Sequence, residues 1–316
     1  MRILITGATG LVGSAIVQKC RENNIDVNYL STQKQKLTQE KDLKGFYWNP
    51  RKGEIDMACF EGVSAVINLA GSSISQRWTS SNKKKILNSR IDSLRTLRSA
   101  LEKINTEEIT SFVSASAIGI YPHSFDHYYT EDEKEVDDSF LGEVVAKWER
   151  EIQEFSQFSF SVATLRVGLV LSMEGGALPA LVRPVKAYVG AAFGSGEQWQ
   201  SWIHIDDLAR QFLFIVEHSL DGIFNGVAPN PVTNNRLVKE IAEVLNRPLF
   251  LPNIPKGFMK LILGEMSLLL FVSQRVSSKK IEEEGFEFYY KNICSALQNV
   301  IQSEEEESDM YHKEFV

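Results

Sequence analysis

Cysteine is scarce in this sequence: Cys20, Cys59 and Cys294 are far apart in 316 residues. Without a CxxC pair or a Cys/His cluster at metal spacing, a disulfide scaffold and a zinc module are excluded, and no metal site is expected. Long apolar runs are missing too. The most apolar stretch, Phe258 to Val272, is interrupted by Lys260 and Glu265 and is too short and too charged to span a bilayer. The first residues, Met1 to Gly7, have no extended apolar core and no cleavage site. They read as a strand, not a leader, and a reducing cytoplasm is the expected compartment. An excess of basic residues is also absent. Six acids and one base after residue 302 carry −5 of the formal −7, leaving −2 for the rest. Such a body lacks the basic face that nucleic acid requires, and segment 303–316 reads as a solvated, disordered acidic tail. The expected partner is a small molecule, not nucleic acid or membrane, and the expected assembly is a monomer or homodimer.

A hydrophobic fraction of 43% with 24% charged residues suffices for a buried core. Short apolar runs at 2–6, 27–30, 45–48, 65–69, 111–115 and 160–165 alternate with helical patterns at 11–22, 79–103 and 140–155. Strand, helix, strand at this spacing predicts βαβ units and an α/β fold of Rossmann type, a doubly wound parallel sheet. After Arg166 glycines and prolines punctuate the pattern, and helices are predicted over 205–218 and 234–245, with short ones after Pro255. The predicted division is a dinucleotide domain over 1–170, to which 203–227 returns, and a smaller C-terminal α+β substrate lobe over 171–202 and 228–302.

Gly7-Ala8-Thr9-Gly10-Leu11-Val12-Gly13 follows the first strand and opens the first helix. Gly7 permits the tight turn, Gly10 lets a pyrophosphate approach the backbone, and Gly13 lets the helix pack close. Phosphates would sit on the free amides and positive dipole end of that helix, with Thr9, Leu11 and Val12 in the cradle. The end of the second strand reads Leu30-Ser31-Thr32-Gln33-Lys34, with no acid before Glu40 and no arginine. A carboxylate there would favour the ribose hydroxyl of NAD; Ser31, Thr32 and Lys34 suit a 2′-phosphate, so NADP is expected over NAD.

These motifs together with Asn68-Leu69-Ala70-Gly71, Arg77-Trp78-Thr79, Ser89-Arg90, Ser116 to Tyr121, Trp148-Glu149, Gly194 to His204 with Asp206-Asp207, Asn225 to Pro229, Leu263 to Met266 and Gln274-Arg275-Val276 resemble the extended short-chain dehydrogenase/reductases. More narrowly, residues 1–302 are similar to an atypical epimerase-like branch that includes YfcH-like proteins and the SulA-like division proteins of cyanobacteria and plastids. The resemblance implies that Leu69, Ala70 and Gly71 line the adenosine side, that Arg90 reaches the cofactor phosphates, and that the strand end at Val170 passes the nicotinamide. Spacing alone leaves Arg90 equally readable as a surface arginine beside Lys83, Lys84 and Lys85.

The departures are as informative. The parent superfamily carries Tyr-x-x-x-Lys on the helix after the fifth strand, with tyrosine as acid/base. Here that helix, Phe140 to Glu149, has no tyrosine, and Lys147 reads as the partner of Glu143 one turn earlier. Ser116 and Tyr121 are the remaining candidate catalytic hydroxyls; the alternatives are a small residue at a crowded strand end and a ring packed into the interior. Related sugar-nucleotide epimerases place an arginine where this chain has Trp199, Gln200 and Ser201. Trp199 and Trp202 are compatible with a flat, ring-stacking ligand or with core packing, and His204 reads as a hydrogen-bonded structural residue. The expected function is an NADP(H)-binding epimerase- or oxidoreductase-like protein acting on a small molecule. The alternative is a non-catalytic NADP(H)-binding regulator, linked by the resemblance to cell division.

Overall fold

The computed structural model describes residues 1–302, so the expected disordered tail at 303–316 lies outside the described residues. The chain forms two compact units. The first comprises Met1–Pro122, Glu131–Val167 and Leu208–Asn225; the second comprises His123–Thr130, Gly168–Asp207 and the described residues from Gly226 on.

The first unit is built on one sheet. Its strands are β1 (Arg2–Thr6), β2 (Asp26–Ser31), β3 (Leu43–Asn49), β4 (Glu54–Ile55), β5 (Ala65–Asn68), β6 (Ser111–Ala117), β7 (Ser161–Val167) and β8 (Gly222–Gly226). Their order is β8-β7-β6-β5-β1-β2-β3-β4. The pairs from β3 through β2, β1, β5 and β6 to β7 are all parallel, and only β4 is shown to run antiparallel, to β3. Every residue of β5 and the last four of β1 are buried. That is why these strands read as unbroken apolar runs: both faces of a parallel sheet are covered.

Helices α1 (Leu11–Glu22), α2 (Ser80–Leu101) and α3 (Phe140–Gln153) each bury one stripe. In α1 it is Gly13, Ile16 and Cys20, three and four residues apart, with Lys19 and Arg21 in the last turn to complement the dipole. Asn24 then takes a left-handed φ of 55°, which asparagine tolerates, and turns the chain into β2. Thr79 caps α2 by accepting from the Asn82 amide at 3.2 Å. Leu4, Val66, Leu97, Phe112, Trp148 and Phe155 belong to one core cluster, with Phe112 and Phe155 stacked at 4.0 Å. Helix α4 (Ile205–Glu217), from Leu208 on, and β8 return to this unit.

The second unit carries three two-stranded ladders: Leu169–Leu171 with Trp202–His204, Trp199–Gln200 with Val232–Thr233, and Tyr128–Tyr129 with Arg275–Val276. Its core packs Leu178, Trp202, Leu237, Ile241, Leu297 and neighbours. Asp207, fully buried, accepts from the Tyr289 and Tyr290 amides at 3.0 and 2.9 Å and so fixes the C-terminal segment.

The two units differ from the predicted division at residues 123–130, 168–170, 203–207 and 226–227. The sixth parallel strand ends at Val167, because a side chain on Gly168 would stand 2.3 Å from the Ser201 carbonyl oxygen; the chain leaves the main sheet there and Leu169–Leu171 joins the second unit. Residues 123–130 also belong to the second unit, where Tyr128–Tyr129 find their strand partner. A two-residue strand surrounded by polar residues has no periodicity to read.

Candidate functional site

β1 lies between β2 on one side and β5 on the other, so the chain winds in opposite directions from it. At such a switch point the carboxyl ends of the strands open into a crevice. Buried polar side chains fix its floor. Thr6 Oγ1 donates to Asn68 Oδ1 at 2.8 Å and accepts from the Leu69 and Ala70 amides at 3.0 and 3.1 Å. Asn68 Nδ2 donates onward to Ser114 Oγ at 3.0 Å, tying the ends of β1, β5 and β6 together.

Gly7 turns the chain with φ +72°, and a side chain there would meet the Leu69 backbone at 3.1 Å. Gly13 is required more strictly, since its Cβ would fall 2.2 Å from the Gly7 carbonyl oxygen. Gly10 is the N-cap of α1 and offers no side-chain acceptor, and no acid occupies the first turn. The first-turn amides of a twelve-residue helix are therefore open to an anion.

A cavity of about 460 Å³ opens beside this turn. Of the sequence-predicted cofactor residues, Gly7, Thr9, Ser31, Thr32, Ala70 and Gly71 line it. Gly10, Leu11, Val12, Gly13, Lys34, Leu69, Arg90 and Val170 are not on its wall. Lys34 is held at 4.9 Å over the ring of Tyr47, which does line the cavity. Val170 belongs to the second unit, paired with Ile203. The loop after β2 is shaped locally: Ser31 Oγ accepts from the Gln33 amide, and the Tyr29 hydroxyl donates to the Lys36 carbonyl at 2.6 Å.

Arg90 sits behind the cavity wall, where a Cβ on Gly71 would come 3.2 Å from its guanidinium carbon. It stacks on Trp148 at 4.8 Å and donates to the Ser72 and Ile86 carbonyls. Burial pulls its pKa down to about 10, and no carboxylate pairs with it among the described residues. It stays a cation at neutral pH, half-hidden under a glycine that leaves room for an incoming group.

Sequence reading missed the far wall. Tyr47, Asn49, Pro50 and Arg51, at and just beyond the end of β3, line the cavity, as does Asp92 on α2. The arginine absent from the loop after β2 is thus supplied by the turn after β3. Burial pushes the Asp92 carboxyl above its ordinary value, against the pull of Arg95 and Arg51. The available signal was positional: β3 ends on the same carboxyl edge as β1 and β2.

The two candidate catalytic hydroxyls lie in a buried network. Ser116 Oγ donates to Glu149 Oε1 at 2.7 Å. Arg166 donates to both oxygens of Glu149, at 2.9 and 2.8 Å, and to the Tyr121 hydroxyl at 2.9 Å. Tyr121 donates to Asn225 Oδ1 at 2.8 Å and is fully buried. Burial raises its pKa to about 12, outweighing the opposing pull of Arg166. The Tyr121 proton is engaged and its oxygen is already an acceptor, so the arrangement serves better as a brace between strand ends than as a proton shuttle. On α3, Lys147 pairs with Glu143 at 2.6 Å on the exposed face, as its spacing predicted.

In the second unit Trp202 is a core residue with its indole N–H on the Asn230 carbonyl, whereas Trp199 is half-buried. His204 stacks on Tyr290 at 3.8 Å and bonds Asn299, a structural histidine. Among the described residues no His/Cys/Asp/Glu group is arranged to hold a metal, and no helix is long and apolar enough to cross a membrane.

A switch-point crevice, a glycine turn into an uncapped helix and a nucleotide-sized cavity on the carboxyl edge define a dinucleotide-binding protein of Rossmann type. Comparison with known proteins gives the family: residues 3–225 match the NAD dependent epimerase/dehydratase family, and residues 254–300 match a domain of unknown function, DUF1731. The chain belongs to that epimerase/dehydratase family and is NAD(P)-binding. It is 37% identical over 303 residues to an epimerase family protein of Staphylococcus epidermidis, covering 96% of this chain and 99% of the relative. An epimerase family protein of Staphylococcus aureus is 36% identical over 301 residues, covering 94% and 98%. Among solved structures, the human epimerase family protein SDR39U1 with NADPH superimposes with a TM-score of 0.83 at 25% identity, covering 96% of this chain and 99% of that one. MoeE5 in complex with UDP-glucuronic acid and NAD has a TM-score of 0.74 at 19% identity, covering 94% and 96%, a likeness of fold.

Proposed function

We propose that the protein binds NADP(H) in the first-unit cavity and is an epimerase- or oxidoreductase-like protein acting on a small molecule, as a monomer or homodimer. The observation that carries this is that Ser31, Thr32 and Arg51 line the same cavity as the glycine turn. The NADPH in the human relative's structure supports the choice of cofactor. The C-terminal match at 254–300 supports the narrower placement with YfcH-like and SulA-like proteins. Bound there, the cofactor would supply hydride transfer; the chain's own residues bind and orient it. Gly7 and the α1 amides hold the pyrophosphate, Arg90 gains the anionic partner it lacks, and Arg51 with Thr32 takes the 2′-phosphate.

Charge-assisted bonds to that phosphate are worth roughly 1.5–3 kcal/mol, so NADPH is expected to bind about tenfold to a hundredfold tighter than NADH. Arg51→Ala should remove most of the difference by weakening NADPH and leaving NADH nearly unchanged. Titration of nicotinamide fluorescence decides it, and equal affinities in the wild type would defeat the reading.

One observation favours the second reading, a cofactor-binding protein without turnover. Helix α3 carries no tyrosine, and the hydroxyls of Ser116 and Tyr121 are both engaged inside the protein. A positioned acid/base contributes about 10²–10⁴ in rate, so oxidation of NADPH by simple ketones, sugars or quinones is expected to be slower by that order than in a tyrosine-bearing relative. Robust turnover that survives both Ser116→Ala and Tyr121→Phe would show that another group does the chemistry. Turnover lost in either variant, with folding intact, would restore that hydroxyl as the catalyst.

A further inference from the structure

Arg275 is an exposed arginine in the second unit with an unusual setting. Its strand partner is Tyr128, directly opposite in the parallel ladder. On its other side the Gln274 amide donates to the Trp199 carbonyl at 3.2 Å, which brings Trp199 alongside. The guanidinium carbon consequently lies 5.1 Å from the Tyr128 ring centre and 4.6 Å from that of Trp199. The rings themselves are anchored. Trp199 Nε1 donates to the Phe125 carbonyl at 2.9 Å, and its amide donates to Ser273 Oγ at 3.1 Å. Ser273 Oγ donates in turn to the Ser124 carbonyl at 2.7 Å, and the Ser124 amide donates back to the Ser273 carbonyl at 2.9 Å.

Two rings on a guanidinium attract it through their electron-rich faces and hold it in one orientation. They do not take up its N–H donors, all of which lie in the guanidinium plane. Among the described residues Arg275 has no carboxylate and no hydrogen-bond acceptor. Arginines used only for structure usually spend these donors on carbonyls or acids, as Arg166 does on Glu149 and Tyr121. Here the side-chain entropy has already been lost to the rings while the donors remain unspent, which is the pre-organised state that favours a ligand.

We infer that Arg275, with Trp199 and Tyr128, forms an oxyanion-binding site for a small molecule carrying a carboxylate or phosphate. The planar fork of the guanidinium can meet both oxygens of such an anion at once, a bidentate geometry. Both rings lie beside the guanidinium, so a flat or apolar group next to the anion has apolar surface to pack on. The inference concerns the second unit alone and does not depend on the NADP(H) reading.

The full chain, saturated with NADPH to occupy the first-unit cavity, is titrated with phenyl phosphate and, separately, with benzoate. Benzyl alcohol serves as the neutral control, and ionic strength is held near ~0.15 M, where only close charges act. Saturable binding of phenyl phosphate or of benzoate is expected, and the one that binds tells whether the natural anion is a phosphate or a carboxylate. Arg275→Gln should weaken that binding by about tenfold to a hundredfold. Arg275→Lys keeps the charge but loses the planar fork, and should still weaken it several-fold with an unchanged melting temperature; this variant carries the test should the glutamine variant misfold. Lys147→Ala, on the exposed face of α3, should leave it untouched, and the bound NADPH separates this site from the nucleotide cavity. Binding of neither anion, or equal binding in wild type and Arg275→Lys, would overturn the assignment.

Discussion

Glu149→Ala is expected to destabilise the protein by about 3–5 kcal/mol, because it leaves a buried cation without its counter-charge. The Arg166 side chain is 5% exposed and that of Glu149 13%. Three donors converge on the carboxylate, two from Arg166 and one from Ser116, and removing it strands all of them. The pair also links α3 to β7 and, through Ser116 and Tyr121, to the end of β6 and the turn beyond it, so its loss is felt across several elements. Lys147→Ala is the control. Its ion pair with Glu143 is similarly short but has side chains 46% and 57% exposed, and such pairs contribute only about 0.3–0.5 kcal/mol. Urea unfolding of the two variants should differ by several kcal/mol, and similar small losses would mean that the buried network is dispensable. The double variant Glu149→Leu with Arg166→Met should recover much of the loss, since what harms the single variant is the unpaired charge rather than the missing bridge.

The same network shows where sequence reading stopped. Ser116 and Tyr121 were legible as candidate hydroxyls, with a crowded strand end and an interior ring as the alternatives. Where their protons go depends on Glu149, Arg166 and Asn225, which reach them only through the packing of α3, the pairing of β6 with β7 and the return of β8. The glycine turn is a different case. Its causes are local: a positive φ at Gly7, and the close approach of Gly13 to the Gly7 carbonyl, lie within seven residues. The helix after it was therefore readable in place, whereas the Asn68-Leu69-Ala70-Gly71 segment was marked by the family resemblance. Arg51 was not, because its role follows from β3 lying beyond β2 in the sheet. Arg275 was not either: quoted only as part of a family motif, it meets Tyr128 through a ladder and Trp199 through the bond of the Gln274 amide, all between segments remote in sequence. Local chemistry was legible, and chemistry assembled by strand order was not.

Gly10→Val is expected to weaken NADPH binding by more than about a hundredfold, or roughly 2.7 kcal/mol, while the fold survives. The two halves of that expectation have separate causes. Gly10 has φ −94° and ψ 173°, extended backbone open to any residue, and the nearest atom to a Cβ there is the Gly7 carbonyl oxygen at 3.3 Å. Valine is a poor N-cap, which costs about 0.5–1 kcal/mol and nothing more drastic. Its two methyl groups, however, stand over the first-turn amides of α1, where a pyrophosphate must approach to use the free N–H groups and the helix dipole. Gly13 cannot serve in this experiment, since any side chain there collides with the Gly7 backbone at 2.2 Å and would confuse unfolding with lost affinity. The measurement is NADPH fluorescence titration beside a thermal melt. A variant that melts within a few degrees of wild type and still binds NADPH as tightly would place the phosphates away from the α1 N-terminus. Arg90→Ala should then separate the remaining contacts: with the amides blocked in Gly10→Val, removing the arginine adds little, whereas in the wild-type background it removes a cation that no carboxylate pairs with among the described residues.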